Sequence, residues 1–358
     1  MNVLSLFDGM SCGQIALDQL GIPVKNYFAS EIDKYAIKVA QANYPDMVHL
    51  GDVKEIDPSE LPKIDLLIGG SPCQGFSFAG KQLNFDDPRS QLFFEYVRLL
   101  KKLKPKCFLM ENVKMKKESM AIITECLGVE PIEINSNLVS AQNRKRLYWT
   151  NIPIDSLPQD KGIMLKDILE PIDQIDDVYY YSDKSIAYME RGNEKWQQAE
   201  ARRADRYTQT PDTKKAFTIT ANFHKGVPYN YFNDNRSFKG GNLKSYFKKH
   251  RKQLVFSKDG LCHVGDADLS GNECIKRVYH PAGKSPTLTT MGGGHREPKT
   301  YVSPDSWRKL TPRECERLQT VPEGYTDHVS NTQRYKMLGN GWTVDVIKHI
   351  FEGLKERN

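Results

Sequence analysis

The sequence predicts an α/β protein in which a Rossmann-like, doubly wound parallel sheet is followed by a second, smaller, loop-rich domain. In the first part of the chain, short apolar runs rich in Val, Leu, Ile and Phe alternate with segments of helical spacing. This alternation is typical of repeated strand–helix units. From about Pro171 onward the chain is rich in Asn, Gly and Lys and has few helical periods. We expect a first domain over 1–170, completed by 335–358, and a second over 171–334.

The apolar runs and helical spacings place the elements of the first domain in order. Strands are predicted at Val3–Phe7, Asn26–Glu31, Met47–Leu50, Ile64–Gly69 and Lys106–Glu111, with helices at Gln14–Leu20, Lys34–Asn43 and Leu92–Leu103. A later helix is predicted after Thr311, an N-cap followed by Pro312 and, three residues from the cap, by Glu314. The segment Val344–Leu354 is predicted to form a helix that returns to the first domain.

Composition and charge exclude several classes of protein. The 358 residues include 51 Lys and Arg and 45 Asp and Glu, and the net charge of +6 is by itself weak evidence for a polyanionic partner. No apolar run approaches the length of a membrane span, and the first residues lack the features of a secretory signal, so we expect a cytoplasmic protein. The seven cysteines include no Cys-x-x-Cys pair, which favours free thiols over a zinc site or disulfides.

Glycines and acidic residues at the predicted strand ends suggest a nucleoside site. Gly9 and Gly13 follow the first strand, where they allow a tight turn into a helix. Glu31 and Asp52 follow the next two strands, where carboxylates accept hydrogen bonds from ribose hydroxyls and an adenine amine. The spacing Gly9-x-x-x-Gly13 departs from the dinucleotide fingerprint, which disfavours a nicotinamide cofactor. Ordinary turn glycines and strand-end acids are the alternative.

A thiol at the end of the fourth predicted strand is the sharper signal. Cys73 lies in the run Ser71-Pro72-Cys73-Gln74, and Glu111 lies at the end of the following strand. In a parallel sheet both strand ends share the crevice where ligands bind. A thiol preceded by proline and followed by small residues is aimed out of the sheet. The alternative is a buried, inert thiol, which the context of Cys73 and its partner Glu111 disfavour.

Taken in order, these motifs resemble those of the DNA cytosine-5 methyltransferase family. The matching segments are Phe7–Gly13, Glu31, Asp52, Ser71-Pro72-Cys73-Gln74, Glu111-Asn112-Val113, Gln142-Asn143-Arg144-Lys145-Arg146, Arg313-Glu314-Cys315 and Gly339-Asn340, which span almost the whole chain. The resemblance implies the sheet of an S-adenosylmethionine-dependent methyltransferase. It also implies that 1–170 with 335–358 is the catalytic, cofactor-binding domain and that 171–334 is the target-recognition domain.

The resemblance further implies a covalent mechanism. The thiolate of Cys73 adds to carbon 6 of cytosine while Glu111 interacts with or protonates ring nitrogen 3. Carbon 5 then attacks the methyl group of S-adenosylmethionine, and loss of the carbon 5 proton and elimination of the thiolate finish the cycle. Arg144 and Arg146 are expected to hold the base oxygen, the thiol region or phosphate, with a solvated basic loop as the alternative.

Further site residues are carried over position by position. Those expected to bind S-adenosylmethionine are Phe7, Asp8, Gly9, Met10, Glu31, Ile32, Asp52, Val53, Ser71, Pro72, Leu92 and Asn340. Those expected to bind DNA are Gln74, Ser77, Lys81, Arg89, Thr287, Thr289 and Gly293. The loop Gln74–Gln91 is expected to close over DNA once the target cytosine has rotated out of the stack. The basic segment Arg236–Lys252 is expected to contact phosphates, with solvated surface lysines as the alternative.

The expected partner is double-stranded DNA, with no metal and no membrane, and we expect a monomer. The enzyme would belong to a restriction-modification system, with a cognate restriction endonuclease, or act alone on a bacterial or phage genome. A transfer-RNA cytosine-5 methyltransferase is the close rival, and the long region from Pro171 to Tyr301 favours DNA because a sequence-reading domain needs that size. A catalytically silent DNA-binding regulator is disfavoured by the retention of both Cys73 and Glu111.

Two motifs depart from the family pattern. Asp8 and Cys12 stand where many relatives carry small residues, and the closing motif has Gly341 and Trp342 where a small residue and valine are more usual. The contacts of Gly341 and Trp342 therefore cannot be assigned from the resemblance.

Overall fold

A seven-stranded sheet forms the centre of the fold. The computed structural model describes residues 1–71, 88–179, 257, 259–261, 263–266, 277–288, 299–303 and 306–355. The strands of this sheet are β1 (Asn2–Leu6), β2 (Asn26–Ser30), β3 (Val48–His49), β4 (Leu66–Gly69), β5 (Cys107–Val113), β6 (Ile132–Asn135) and β7 (Lys145–Thr150). They lie in the order β3-β2-β1-β4-β5-β7-β6. The predicted α/β class with a Rossmann-like sheet is confirmed.

The first five strands of the sheet are parallel, and β7 runs antiparallel between β5 and β6. The central strands β1, β4 and β5 are buried almost throughout, which explains their continuous apolar sequences. All five predicted strands are present, although β3 is reduced to two residues and β5 extends to Val113. The sequence did not delimit β6 and β7.

Helices connect the parallel strands, and further helices come after the last strand of the sheet in sequence. They are α1 (Cys12–Gln19), α2 (Lys34–Asn43), α3 (Pro88–Leu103), α4 (Lys117–Leu127), α5 (Pro312–Leu318), α6 (Asn331–Asn340) and α7 (Val344–Glu352). The predicted capping box of α5 is confirmed: the Thr311 backbone N–H donates to Glu314 Oε2 at 2.8 Å, and the Glu314 N–H donates to Thr311 Oγ1 at 3.2 Å. None of the helices in the described part of the chain is long and apolar enough to cross a membrane.

The core of the first part of the chain lies on the sheet. Leu6 of β1, Leu67 of β4 and Trp149 of β7 are completely buried and belong to one apolar cluster with Phe93 and Tyr96 of α3. Burying side chains of this size stabilises the sheet by about 2 kcal/mol each. The sheet therefore gives a rigid base to the loops at its edges.

The chain divides into two compact units. The first comprises Met1–Ile163, Thr287–Thr290 and Cys315–Asn358, and the second comprises Met164–Pro286 and Met291–Glu314. In the second unit, β8 (His263–Asp266), β9 (Arg277–Tyr279), β10 (Lys299–Ser303) and β11 (Ser306–Lys309) form a sheet in the order β11-β10-β9-β8. Here residues 315–334 group with the first unit. The assignment of target recognition to 171–334 stays a prediction.

Candidate active site

One edge of the seven-stranded sheet collects the predicted site residues of the first unit. Because β1, β2, β4 and β5 are parallel, the residues at or after their carboxyl ends meet at this edge. Phe7 follows β1, Glu31 follows β2, Ser71 follows β4 by two residues, and Glu111 lies near the end of β5. Arg146 reaches the same edge because β7 is antiparallel and pairs it with Val113.

The loop after β1 has an unusual backbone held by a carboxylate. Phe7, Gly9 and Ser11 have positive φ angles of 56°, 60° and 65°. The Gly9 N–H donates to Glu31 Oε2 at 2.8 Å, while Glu31 Oε1 accepts from the backbone N–H of Ile32, also at 2.8 Å. A Cβ on Gly9 would meet no atom within 4 Å, so open space adjoins the loop at this point. Glu31 thus shapes a backbone turn beside a space that a ligand can enter.

Asp8, in the same loop, is held by hydrogen bonds. Its carboxylate accepts hydrogen bonds from the Tyr27 hydroxyl at 2.9 Å and from the Ser11 hydroxyl. Burial raises the pKa of the Asp8 carboxyl to about 6, against the opposing effect of these donors, and the nearby Glu31 raises it further. These contacts of Asp8 are therefore structural ones, within the loop and to β2, and its predicted contact with a cofactor stays a prediction.

We predict that Asp8→Asn changes how stability depends on pH. Because the folded pKa of about 6 lies above the ordinary 3.8, the wild type loses stability as pH rises between these values and not below them. The Asn variant lacks this loss, so its free energy of unfolding should gain about 2 kcal/mol on wild type between pH 4 and pH 6. Urea unfolding across this range measures the difference, with the exposed Asp46→Asn as control. Parallel curves for wild type and Asp8→Asn would contradict the prediction.

The other predicted cofactor residues vary in exposure. Ile32 is 74% exposed beside Glu31, whereas Val53 and Met10 are buried. Asp52 caps the short 3-10 helix Val53–Glu55, its Oδ1 accepting from the Lys54 N–H at 3.0 Å. Leu92 is half-buried and Asn340 is exposed. An exposed apolar side chain next to a carboxylate suits a nucleoside, whose ring is apolar on its faces and whose hydroxyls are donors.

The ends of β4 and β5 are joined at the edge. Asn112 Nδ2 donates to the Ser71 hydroxyl at 3.2 Å, and both side chains are buried. The neighbouring Glu111 is 8% exposed, and its Oε1 lies 3.0 Å from Arg146 Nε in an ion pair. Its other oxygen, Oε2, accepts from the Trp342 indole N–H at 3.0 Å. The Glu111 carboxylate is therefore held from two sides.

Arg144 has contacts different from those of Arg146. It is 3% exposed, and its guanidinium donates to the backbone carbonyls of Leu288, Gly339 and Gly341 at 3.0 to 3.1 Å. These bonds join three segments that are distant in sequence. They support a positioning role for Arg144, while its predicted catalytic role is untested.

We predict that Arg144→Met destabilises the protein by about 3 kcal/mol, because it leaves buried carbonyls without their charged donor. Urea unfolding at neutral pH measures the loss. The control is Arg317→Met, which removes a more exposed ion pair with Glu323 and should cost less than about 1 kcal/mol. Equal losses for the two variants would show that the three carbonyl contacts are unimportant.

Most of the described cysteines are buried. Cys12, Cys107 and Cys315 are buried and Cys126 is half-buried, and none of these four forms a disulfide. Burial raises the pKa of the Cys12 thiol to about 12, so this residue stays protonated at neutral pH. Cys12, which begins α1 after the loop that follows β1, is therefore a packing residue.

Several predicted residues lie outside the described part of the chain. These are Pro72, Cys73, Gln74, Ser77, Lys81, Thr289, Gly293, the segment 236–252 and the side chain of Arg89. Of the predicted DNA-binding residues, Thr287 is described, and its hydroxyl donates to the Asn143 carbonyl. Its role towards DNA stays a prediction.

Two residues near the edge were missed as parts of the site. Trp342 bonds to Glu111 across 231 positions of sequence, and its departure from the family pattern was the one signal that marked it. Gln142 is completely buried and accepts from the Leu288 N–H at 2.7 Å while donating to Gln319 Oε1 at 3.1 Å. Its place in the Gln142–Arg146 motif marked it without indicating these partners.

Known proteins resemble this chain over most of its length. Residues 1–356 match the family described as C-5 cytosine-specific DNA methylase. The type II methyltransferase M1.ScrFI of Lactococcus lactis subsp. cremoris is 31% identical over 375 residues, covering 99% of this chain and 78% of the relative. The orphan methyltransferase M.Rho11sI of Bacillus phage rho11s is 31% identical over 364 residues, covering 84% and 69%. The structure of the Entamoeba histolytica methyltransferase EhMeth has a similar fold, with a TM-score of 0.64 at 16% identity over 100% of this chain and 98% of that one.

Proposed function

Because this chain belongs to the C-5 cytosine-specific DNA methylase family and is a DNA cytosine methyltransferase, we propose that it methylates a flipped-out cytosine through a covalent Cys73 adduct. The methyl group comes from S-adenosylmethionine, the donor used by this family. In this proposal, the second unit recognises the specific duplex sequence in which the cytosine lies.

The arrangement of Glu111 is the observation that supports this proposal best. Its carboxylate lies at the carboxyl edge of the sheet with Arg146 Nε at 3.0 Å, and Asn112, the next residue, bonds to Ser71. Cys73 follows Ser71 by two residues. The Glu111 carboxyl is thus fixed beside the chain segment that leads to Cys73. The proposed reaction requires this, because the thiol and the carboxyl act on the same cytosine ring.

In the proposed reaction, the Cys73 thiolate forms a bond to carbon 6 of cytosine while Glu111 gives a proton to ring nitrogen 3. The ring becomes an enamine whose carbon 5 is nucleophilic. After methylation, carbon 5 loses its proton to a base, the bond to sulfur breaks, and ring nitrogen 3 returns its proton to Glu111, which restores the aromatic ring, the thiolate and the acid. Arg146 would orient the Glu111 carboxylate through their ion pair.

The nucleoside part of S-adenosylmethionine fits the described residues at the edge. Glu31 and Asp52 would accept hydrogen bonds from its hydroxyls and amine, and the exposed Ile32 would pack on the adenine ring. The open space beside Gly9 would admit the cofactor close to the loop backbone. When bound, the cofactor supplies an electrophilic methyl group.

Base flipping follows from the chemistry of the substrate. Carbon 6 of a stacked cytosine is inaccessible to a thiol, so the base must leave the duplex to reach the sheet edge. We propose that Gln74, Ser77, Lys81, Arg89, Thr287, Thr289 and Gly293 contact the DNA that holds the flipped base. Sequencing of methylated DNA after bisulfite treatment identifies the recognised bases.

A trapping experiment tests the covalent step. Mixed-sequence duplex DNA with 5-fluorocytosine at every cytosine position is incubated with the protein and S-adenosylmethionine, then denatured and separated by electrophoresis. Because fluorine cannot leave carbon 5 as a cation, the reaction stops at the adduct. We expect a denaturation-resistant complex that requires the cofactor.

Transfer RNA containing 5-fluorocytosine serves as the second arm of the same experiment. A complex on duplex DNA alone supports the proposal, and one on transfer RNA alone supports the RNA-directed alternative. No complex on either nucleic acid would contradict the covalent mechanism.

The proposal also covers the oligomeric state of the enzyme and its partner endonuclease. We propose that the enzyme acts as a monomer, which sedimentation analysis checks. We also propose that a cognate restriction endonuclease accompanies the enzyme, as the name of the type II relative suggests. The name of the orphan relative fits the alternative, an enzyme that acts alone.

A further inference from the structure

The Glu111 carboxylate receives a hydrogen bond that the resemblance to the family does not explain. Trp342 lies just after Gly341, the C-cap of α6, and its indole N–H donates to Glu111 Oε2 at 3.0 Å. Arg146 contacts the other oxygen, Oε1, at 3.0 Å. Each oxygen therefore has its own donor, and the two donors together set the rotation of the carboxylate plane. The valine more usual at position 342 has no side-chain donor.

Gly70 makes room for this arrangement. A Cβ at position 70 would lie 2.8 Å from Glu111 Oε2 and 3.1 Å from Trp342 Nε1. Both distances are shorter than ordinary carbon contacts, so a side chain at position 70 would force Glu111 Oε2, and with it the hydrogen bond to Trp342, to shift. The hydrogen bond from Trp342 to Glu111 therefore requires a residue without a side chain at position 70.

We propose that Trp342 is a positioning residue for methyl transfer, which fixes the Glu111 carboxylate through its indole N–H in the space left by Gly70. The inference rests on the proposed role of Glu111 towards the cytosine ring. Since Trp342 acts through Glu111, its removal should lower kcat, the rate of reaction of the bound substrates, and leave the binding of the substrates unchanged. A misplaced acid transfers a proton less efficiently, because it must lie within hydrogen-bond distance of the ring nitrogen before the proton can move.

The test compares Trp342→Phe with wild type in steady-state methylation of long mixed-sequence DNA with tritiated S-adenosylmethionine. Phenylalanine keeps an aromatic ring and lacks the N–H donor. We expect kcat to fall about tenfold, while the KM values for DNA and for the cofactor stay within about twofold. Gly70→Ala, which leaves the indole intact, should lower kcat by a similar factor.

Trp149→Phe is the matched control for the loss of an indole N–H. Its Nε1 donates to Thr124 Oγ1 at 3.0 Å, and it pairs with Met110, so its side chain lies on the face of the sheet opposite to that of Glu111. This variant should lose stability without a comparable fall in kcat. If Trp342→Phe fails to fold, Gly70→Ala carries the test alone, and urea unfolding identifies that case.

A double-mutant cycle separates positioning through Glu111 from a general structural effect. In the Glu111→Gln background, Trp342→Phe should cause no further fall in kcat, because the group it positions has already lost its function. A full additional tenfold fall, or an unchanged kcat in the single variant, would overturn the inference. If Glu111→Gln itself left kcat unchanged, the proposed function of Glu111 would fail first, and the inference with it.

Discussion

A Cys73→Ala variant is expected to lose methyl transfer by on the order of 10⁴-fold or more, because alanine offers no electron pair to carbon 6. Without the covalent bond, carbon 5 stays too weakly nucleophilic to accept the methyl group. The measurement is transfer of tritium from labelled S-adenosylmethionine to mixed-sequence duplex DNA, followed over hours. The adduct with 5-fluorocytosine DNA should disappear in the same variant.

Two controls establish that the loss is chemical. Cofactor binding, measured by equilibrium dialysis, should match wild type, since the proposed nucleoside contacts come from Glu31, Asp52 and Ile32. Cys126→Ala removes a half-buried thiol from α4, outside the proposed site, and should retain activity. A Cys73→Ala protein with activity within tenfold of wild type would refute nucleophilic catalysis at this position.

Glu111→Gln is expected to lower kcat by about 10²- to 10⁴-fold, the usual contribution of a positioned acid. Glutamine has the same shape and can still accept from Trp342, so packing at the end of β5 should be kept. It cannot give a proton to ring nitrogen 3, and it loses the ion pair with Arg146. Single-turnover methylation at saturating DNA and cofactor isolates this chemical step.

The matched control for Glu111→Gln is Glu133→Gln on β6. Glu133 forms an ion pair with Lys114 at 2.8 Å, and side-chain exposures of 37% and 64% place both partners at the surface. A pair of this kind contributes less than about 1 kcal/mol, so activity and stability should both be close to wild type. Equal rates for Glu111→Gln and wild type would remove Glu111 from the mechanism.

The sequence predicts the central strands of the sheet well and its antiparallel side poorly. Strands β1, β4 and β5 are buried on both faces, so their apolar runs are unbroken and easy to delimit. Strand β6, Ile132–Asn135, lies at the edge of the sheet and is mostly half-buried or exposed, which leaves a weak pattern. Strand β7 begins with the charged residues Lys145 and Arg146, which local propensity does not assign to a strand.

The candidate site divides in the same way. Glu31 and Glu111 could be placed because they lie at ends of predicted parallel strands, and the topology of such a sheet brings those ends together. The partners of Arg144 could not be foreseen, because Leu288, Gly339 and Gly341 are backbone carbonyls far away in sequence. The same holds for the bond from Trp342 to Glu111, since contacts across long loops leave no periodic signal.

The order of protein synthesis gives the closing segment 339–343 a particular importance. Glu111 and Arg144 leave the ribosome well before the residues that hold them, Trp342 for the former and Gly339 and Gly341 for the latter. A nascent chain that ends before this segment lacks one of the two donors to Glu111 and two of the three carbonyls that accept from Arg144. The complete set of these contacts can therefore form only after translation has passed position 342.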